Sequence, residues 1–237
     1  MKKIILTDDI KKEAEALLKK YTKYKSFSRK KENVYNFTRI VGVRVCPYCN
    51  INYTYTVYNE KSKPIVRPDI DHFQPITKGG REVELENLVP SCSTCNRTLK
   101  RDINCSTKDY LHPYKDDFDS TEKFHININD LKFFDEKNFS IILTSSEKAK
   151  KEDIRRAENN IKIFKLIERY QQHKDVVIDI FRKISFYNYY KQQEITNLLT
   201  GGGKSFPLDS LLFPEKTCDI NKTSLGKLKK DIIELYL

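Results

Sequence analysis

Apolar positions first fall into helical spacing at Ile10, Ala14, Leu17, Leu18, Tyr21 and Tyr24, which predicts an amphipathic helix over residues 8–25. Thr7 offers a capping hydroxyl, and Asp8 and Asp9 put negative charge at the positive end of the helix dipole. No period runs through residues 26–38. The pattern then switches. Ile51, Tyr53, Tyr55 and Val57 alternate with Asn52, Thr54, Thr56 and Tyr58, which predicts a strand. A turn over Asn59 to Pro64 leads into a second predicted strand, Ile65 to Phe73, then a tight loop at Gly79-Gly80 and a short helix over 91–101. Further β-like stretches are expected at Phe124–Ile128 and Phe139–Leu143. Ser146 opens a long helical region whose stripe is Ile154, Ala157, Ile161, Phe164, Ile167 and Tyr170. Val177, Phe181, Ile184 and Tyr187 continue it past a break expected near Asp175. Gly201-Gly202-Gly203 ends that region, and Leu225, Leu228, Ile232 and Leu235 predict a terminal helix. The aromatic run Phe186-Tyr187-Asn188-Tyr189-Tyr190 is expected in the core.

Composition narrows the class. A chain of 237 residues can bury a core without a metal or disulfide to hold it. With 38% hydrophobic, 32% charged and 11% aromatic residues it is too aromatic for a disordered chain and too charged for a membrane protein. No apolar run approaches the ~20 residues that span a bilayer, and Asp8 and Asp9 come too early for a signal peptide. The expectation is a cytoplasmic protein with no membrane partner. The net charge is +11, and residues 1–45 hold 13 basic against 5 acidic side chains. Lys19, Lys20, Lys23, Lys25, Arg29, Lys30 and Lys31 follow one another with no acid between them. Such a lead suits phosphate backbones, although a lysine-rich composition alone produces the same excess.

The cysteines carry more information. Cys46-Pro47-Tyr48-Cys49 and Cys92-Ser93-Thr94-Cys95 supply two thiolate pairs on tight turns, the four-sulfur cage that structural Zn²⁺ prefers. The 42 residues between the pairs exceed a simple zinc ribbon and must hold an inserted unit. That unit contains Asp69-Ile70-Asp71-His72-Phe73-Gln74-Pro75 and Asn87-Leu88-Val89-Pro90, and Asn96 follows the last cysteine. An adjacent carboxylate and imidazole at a strand end divide two tasks: Asp71 can bind a hard cation, and His72 can take a proton from water. Asn96 adds a second oxygen ligand from the next helix, a set that suits Mg²⁺ or Mn²⁺. Arg97, Lys100 and Arg101 share that helix, with Asn96 and Lys100 one turn apart on one face. A metal, a base and neighbouring cations compose a phosphodiester-cleaving site.

Residues 46–101 resemble the HNH nuclease motif in its zinc-bound, two-CxxC form: Cys46/Cys49, Asp71-His72, Gly79-Gly80, Asn87-Leu88-Val89, Cys92/Cys95, Asn96 and Lys100. The resemblance implies His72 as general base, Asp71 and Asn96 as catalytic metal ligands, and Asn87 as the brace that orients His72 through the loop. Asn96 replaces the final histidine of the motif, which makes this an HNN variant. The implied fold class is α+β: a zinc-stabilised ββα-metal (HNH) module over 40–115, with a basic helical lead at 1–39, a β-rich connection at 116–145 and a helical C-terminal region at 146–237. Nucleic acid, DNA foremost, is the expected partner, with Arg97, Lys100, Arg101, Lys19, Lys20 and Lys23 as expected contacts. The layout is similar to small HNH proteins of anti-phage systems such as Septu, which implies an ATPase partner.

Other features carry weaker signals. Asp69 is expected to face solvent, Cys105 to be a spare thiol and Cys218 a buried one, with His112 a secondary candidate from a trailing loop. Cys-Pro-Tyr-Cys is also a glutaredoxin-like redox motif, but there the second cysteine lies in a helix and not before a strand. Gly203-Lys204-Ser205 lacks the first glycine of a phosphate loop, since position 198 is Leu198. The serious rival is a zinc-stabilised nucleic-acid reader with an inactive centre.

Overall fold

The computed structural model describes residues 1–130, 135–187, 189–200 and 212–237. The expectations placed on Gly201–Gly203, on Gly203-Lys204-Ser205 and on Asn188 lie outside these residues. The chain forms two compact units that interleave along the sequence: Met1–Glu122 with Ser145–Leu166 and Asn221–Ser224, and Lys123–Thr144 with Ile167–Ile220 and Leu225–Leu237. No described helix is long and apolar enough to cross a membrane.

In the first unit, Thr7 caps helix α1 (Asp8–Leu18), its Oγ1 accepting the Ile10 amide at 3.3 Å. The helix stops at Leu18 rather than running to residue 25. The chain turns so that Tyr21 and Tyr24 both pack on Phe27, with ring centroids 5.6 and 5.8 Å away. Tyr24 instead opens a separate helix, α2 (Tyr24–Arg29), and Phe27 meets Phe37 of a third, α3 (Lys31–Val41). Helix α3 lies where no period was visible. Its buried face is Val34, Phe37, Thr38 and Val41, and the threonine hides the stripe by accepting a buried place through its Oγ1 bond to the Tyr35 carbonyl. Gly42, at φ 64°, closes it in the left-handed conformation.

The predicted strand over 51–58 shrinks to a Val45–Tyr53 bridge and strand β1 (Val57–Tyr58). Its first half is used by the cysteine turn, where the Cys46 amide bonds the Asn52 carbonyl. The predicted strand 65–73 is two strands, β2 (Pro64–Val66) and β3 (Asp69–His72), in different sheets. Pro68 has no amide to continue a ladder, so the chain changes partners there. Strand β2 pairs antiparallel with β1, and β3 pairs antiparallel with β4 (Leu88–Ser91), Asp71 opposite Val89 and His72 opposite Leu88. A helix of π type, Thr94–Lys100, follows β4 directly, with the Arg101 amide bonded five residues back to the Asn96 carbonyl. Helix α4 (Lys151–Ile163) completes this unit, starting after a turn in which the Ala149 amide bonds the Ser146 carbonyl.

The second unit pairs strands β5 (Glu122–Ile128) and β6 (Phe139–Ser145) and holds most of α5 (Leu166–Tyr170), then α6 (Lys174–Phe186), α7 (Tyr189–Thr200) and α8 (Gly226–Tyr236). The helical stripe breaks at Lys165, which has φ 49°, and again in a tight turn over Gln171–His173, both ahead of the expected Asp175. The Phe124 and Tyr170 rings meet at 4.3 Å, tilted by 37°, and are buried with Ile141, Val177, Leu228 and Ile232. Phe186 and Tyr190 are 63% and 82% exposed, so the aromatic run does not enter the core as a block. Cys218 is half-buried rather than buried, its thiol donating to the Glu215 carbonyl.

Candidate active site and metal centre

The antiparallel β3–β4 pair carries the second cysteine turn, Cys92–Cys95, out of the end of β4, and the first turn, Cys46–Cys49, closes on it. Asn50, at φ 54°, tightens the first turn, its amide bonding the Cys46 carbonyl at 2.8 Å. The four buried sulfurs lie within 4.8 Å of one another, with Cys49 and Cys92 4.0 Å apart. A tetrahedral zinc with bonds of about 2.3 Å needs sulfurs about 3.8 Å apart, whereas a disulfide needs about 2 Å. Backbone amides already face the sulfurs: Ile51 to Cys49, Cys92 to Cys46 and Cys95 to Cys92, at 3.4 to 3.5 Å. Hydrogen bonds from Cys46, then Cys49 and Cys95, hold the Cys92 thiol well below the usual thiol range. Donor type, spacing and amide support all fit zinc.

His72 ends β3 half-buried, with Nε2 2.9 Å from the Glu82 carbonyl. A carbonyl only accepts, so the proton sits on Nε2 and Nδ1 is left as the acceptor. The Tyr24 ring meets the imidazole edge-on at 4.5 Å, and the Tyr24 amide donates to the Glu82 carboxylate at 2.9 Å. Burial lowers the His72 pKa, against the opposing effects of the Glu82 carbonyl and the Asp71 charge, so the ring is neutral near pH 7. Asn87 holds the intervening loop with three bonds: its Nδ2 donates to the Gln74 and Arg81 carbonyls at 3.0 and 2.8 Å, and its Oδ1 accepts the Gln74 amide at 2.8 Å. Gly80 makes the close approach possible, since a Cβ there would lie 1.9 Å from the Gln74 carbonyl oxygen.

Asp71 is not the open carboxylate expected. It is buried, and its two oxygens accept from Tyr48 Oη at 2.6 Å and Lys100 Nζ at 2.9 Å. Burial, then the adjacent Asp71 charge, pushes the Tyr48 phenol well up, which keeps it a donor. Lys100 is fully buried and also donates to the His72 carbonyl at 2.7 Å, so it is an internal tie and not a contact for nucleic acid. The π-widened turn rotates it inward. A carboxylate oxygen has a second lone pair, the chemistry of a hard-cation ligand, and here it stands beside the Lys100 ammonium. Asn96 is half-buried; its backbone amide bonds the Cys92 carbonyl at 3.0 Å, and its side-chain carboxamide makes no hydrogen bond among the described residues. Asp69 does not face solvent freely: Arg97 Nε donates to it at 2.6 Å, so Arg97 is paired although exposed. Arg101, Lys19, Lys20 and Lys23 are exposed, and Tyr24 anchors the start of α2, one residue after Lys23, against His72.

His112 does not reach the site. It is buried, its Nε2 bonded to the Glu86 carbonyl and its Nδ1 accepting the Tyr114 amide, so it braces the backbone beside Asn87. Burial lowers its pKa to about 4. The unfolded chain, with an ordinary value near 6.5, then binds the extra proton between about pH 6.5 and about pH 4. Stability contributed by neutral His112 is complete above that window and falls as pH drops through it, by about 3 kcal/mol in all. Urea midpoints at pH 7 and pH 4.5 should converge for His112→Gln but separate for the native protein; equal slopes would contradict this role. Cys105 is buried among Tyr48, Asp71 and Lys100, and burial pushes its thiol to about 12, which leaves it inert.

Tyr24, Tyr48 and Glu82 were not found from sequence. Tyr48 lies inside the first cysteine pair without a signal of its own, and the helical period places Tyr24 in one long helix. Residues 46–102, about a quarter of the chain, match the HNH endonuclease family model, and the matched stretch includes the four cysteines, His72, Asn87 and Asn96. No curated protein and no solved structure matched the chain.

Proposed function

We propose that this protein is a metal-dependent endonuclease that hydrolyses phosphodiester bonds in nucleic acid, DNA foremost, from the HNH endonuclease domain at 46–102. The observation that carries it is the posture of His72: Nε2 is held by the Glu82 carbonyl, which leaves Nδ1 to take a proton from an attacking water. Asn87 and Gly80 keep the Glu82 loop where that bond can form. Asn96 and Asp71 are the oxygen donors for Mg²⁺ or Mn²⁺ in this HNN arrangement, within what we read as a ββα-metal core. Bound there, such an ion supplies positive charge to the phosphoryl oxygens and the leaving 3′-oxygen. Zn²⁺ on the four cysteines is structural. Arg101, Lys19, Lys20 and Lys23 hold the backbone. A cytoplasmic setting and a defence role beside an ATPase partner complete the proposal, supported by the general layout alone.

A second reading has one observation in its favour. With Asp71 engaged by Tyr48 and Lys100, a zinc-stabilised binder that does not cut is consistent with the geometry. Metal titration separates the two. Purified zinc-loaded protein should nick or linearise supercoiled plasmid when Mg²⁺ or Mn²⁺ is added and leave it intact without either. Tight binding of plasmid with no cleavage in any divalent ion would favour the binder.

A further inference from the structure

Most of the first unit's large apolar side chains are buried, yet one hairpin is not. Tyr53, Tyr55, Val57, Ile65 and Val66 are all exposed, with Tyr53 and Tyr55 at 50% and 44%. The two tyrosine rings stack on each other at 4.8 Å and 14° between planes, on alternate positions of one extended segment. Exposed apolar area concentrated in one place marks an interaction surface. Its charge says what kind. From Asn33 to Pro68 the chain carries Arg39, Arg44, Lys61, Lys63 and Arg67 against Glu60 as the single acid. None of these five cations forms an ion pair among the described residues.

Hydrogen bonds tie the backbone around these cations to the same segment. The Arg44 carbonyl accepts the amide of Thr54, the residue between the two tyrosines. Thr38, which precedes Arg39, bonds Thr56 side chain to side chain at 2.9 Å. Lys61 and Lys63 donate their amides to Asn59 in the β1–β2 turn, and Arg67 leaves β2 directly after Val66, which pairs with Val57. The surface also leads to the candidate active site. The Arg67 guanidinium sits 5.8 Å from the Tyr35 ring, and β3, which ends at His72, begins two residues after Arg67.

We propose that Tyr53 and Tyr55, on a segment that also carries Arg39, Arg44, Lys63 and Arg67, form a stacking platform for an unpaired, single-stranded stretch of the nucleic-acid substrate. The proposal deepens the nuclease assignment and rests on it for the name of the substrate. Unpaired bases stack on aromatic faces whatever their sequence, while a duplex keeps its base faces buried. Cations without an ion-pair partner on the same segment match the phosphates of such a strand and predict steep salt dependence. The platform therefore assigns a substrate with a single-stranded part, such as a flap, gap or displaced strand.

The test uses the full chain carrying His72→Ala, so that binding is read without cleavage, and follows the fluorescence anisotropy of labelled oligothymidylate and of a labelled duplex. Tyr53→Leu with Tyr55→Leu keeps apolar bulk but removes the π faces, and should weaken oligothymidylate binding roughly tenfold or more while duplex binding changes little. Tyr53→Phe with Tyr55→Phe should bind as the parent does. Arg44→Gln and Lys63→Gln should each reduce the salt slope for the single strand by about 0.7. Unchanged oligothymidylate affinity in the leucine variant would overturn the platform, as would an equal loss for duplex. So would a dimer, seen by sedimentation, that the leucine variant abolishes without touching nucleic-acid affinity. Cleavage by the otherwise native chain is scored separately. Loss of stacking without any cleavage keeps the platform and removes the nuclease; cleavage with intact binding by the leucine variant does the reverse.

Discussion

Cys92→Ser is expected to purify without stoichiometric zinc and to lose the cooperative melt of the first unit. A serine hydroxyl is a poor ligand for this ion, and three thiolates leave an open fourth position. Structural zinc binding is folding energy, about 10–16 kcal/mol for small zinc modules, which matches or exceeds the whole stability of an ordinary domain at about 5–15 kcal/mol. The local structure gives the loss a route. Cys92 lies between β4 and the helix Thr94–Lys100, its amide bonds Cys46, and its sulfur accepts the Cys95 amide. Releasing it frees the helix that carries Asn96 and Lys100, so the site residues separate with the fold. Elemental analysis and a thermal melt check this. A Cys92→Ser protein that melts like the native one without zinc would show that the cluster does not hold the fold.

Asp71→Ala should be the next most damaging change, for reasons of charge before catalysis. It leaves the fully buried Lys100 ammonium and the Tyr48 hydroxyl without their shared acceptor. Breaking one side of a buried ion pair costs about 3–5 kcal/mol, because the remaining charge stays out of water. Lys100 also holds the His72 carbonyl, so the strand end that carries the base loosens with it. Removing both charges is expected to be milder than removing one. The double variant Asp71→Ala with Lys100→Met should recover a large part of the stability in urea titrations, giving a coupling of a few kcal/mol. Costs that simply add would contradict a shared buried network. Cleavage should remain lost in both variants, which separates the role of Asp71 in the fold from its place among the oxygen donors.

Much of the site was legible because its residues keep their order along the chain. Two cysteine pairs, Asp71-His72, Asn87 and Asn96 each have a local chemical signature; the two pairs meet in one cluster, and the strand that ends in Asp71-His72 pairs with the strand that follows Asn87. The companions of those residues were not legible. Whether Lys100 points to solvent or inward depends on the phase of a helix whose π turn adds a residue, and no spacing rule shows that in advance. Tyr48 reads as filler between cysteines until its hydroxyl is seen on Asp71. The contact of Tyr24 with His72 joins residues 48 positions apart and exists only because α1 stops at Leu18. Pro68, by contrast, was a readable signal: a residue without an amide in a predicted strand marks a change of partner. Helix α3 stayed hidden because Thr38 occupies an apolar position in its stripe.

The central claim is that His72 is the base of a metal-dependent nuclease, and one comparison tests it most directly. Native protein and His72→Ala, matched for zinc content and melting temperature, are incubated with supercoiled plasmid and with a gapped duplex in Mg²⁺ and in Mn²⁺. The account predicts cleavage by the native protein and a loss of roughly 10²–10⁴-fold in His72→Ala, the range for removing a general base. Cleavage by His72→Ala at the native rate would contradict it.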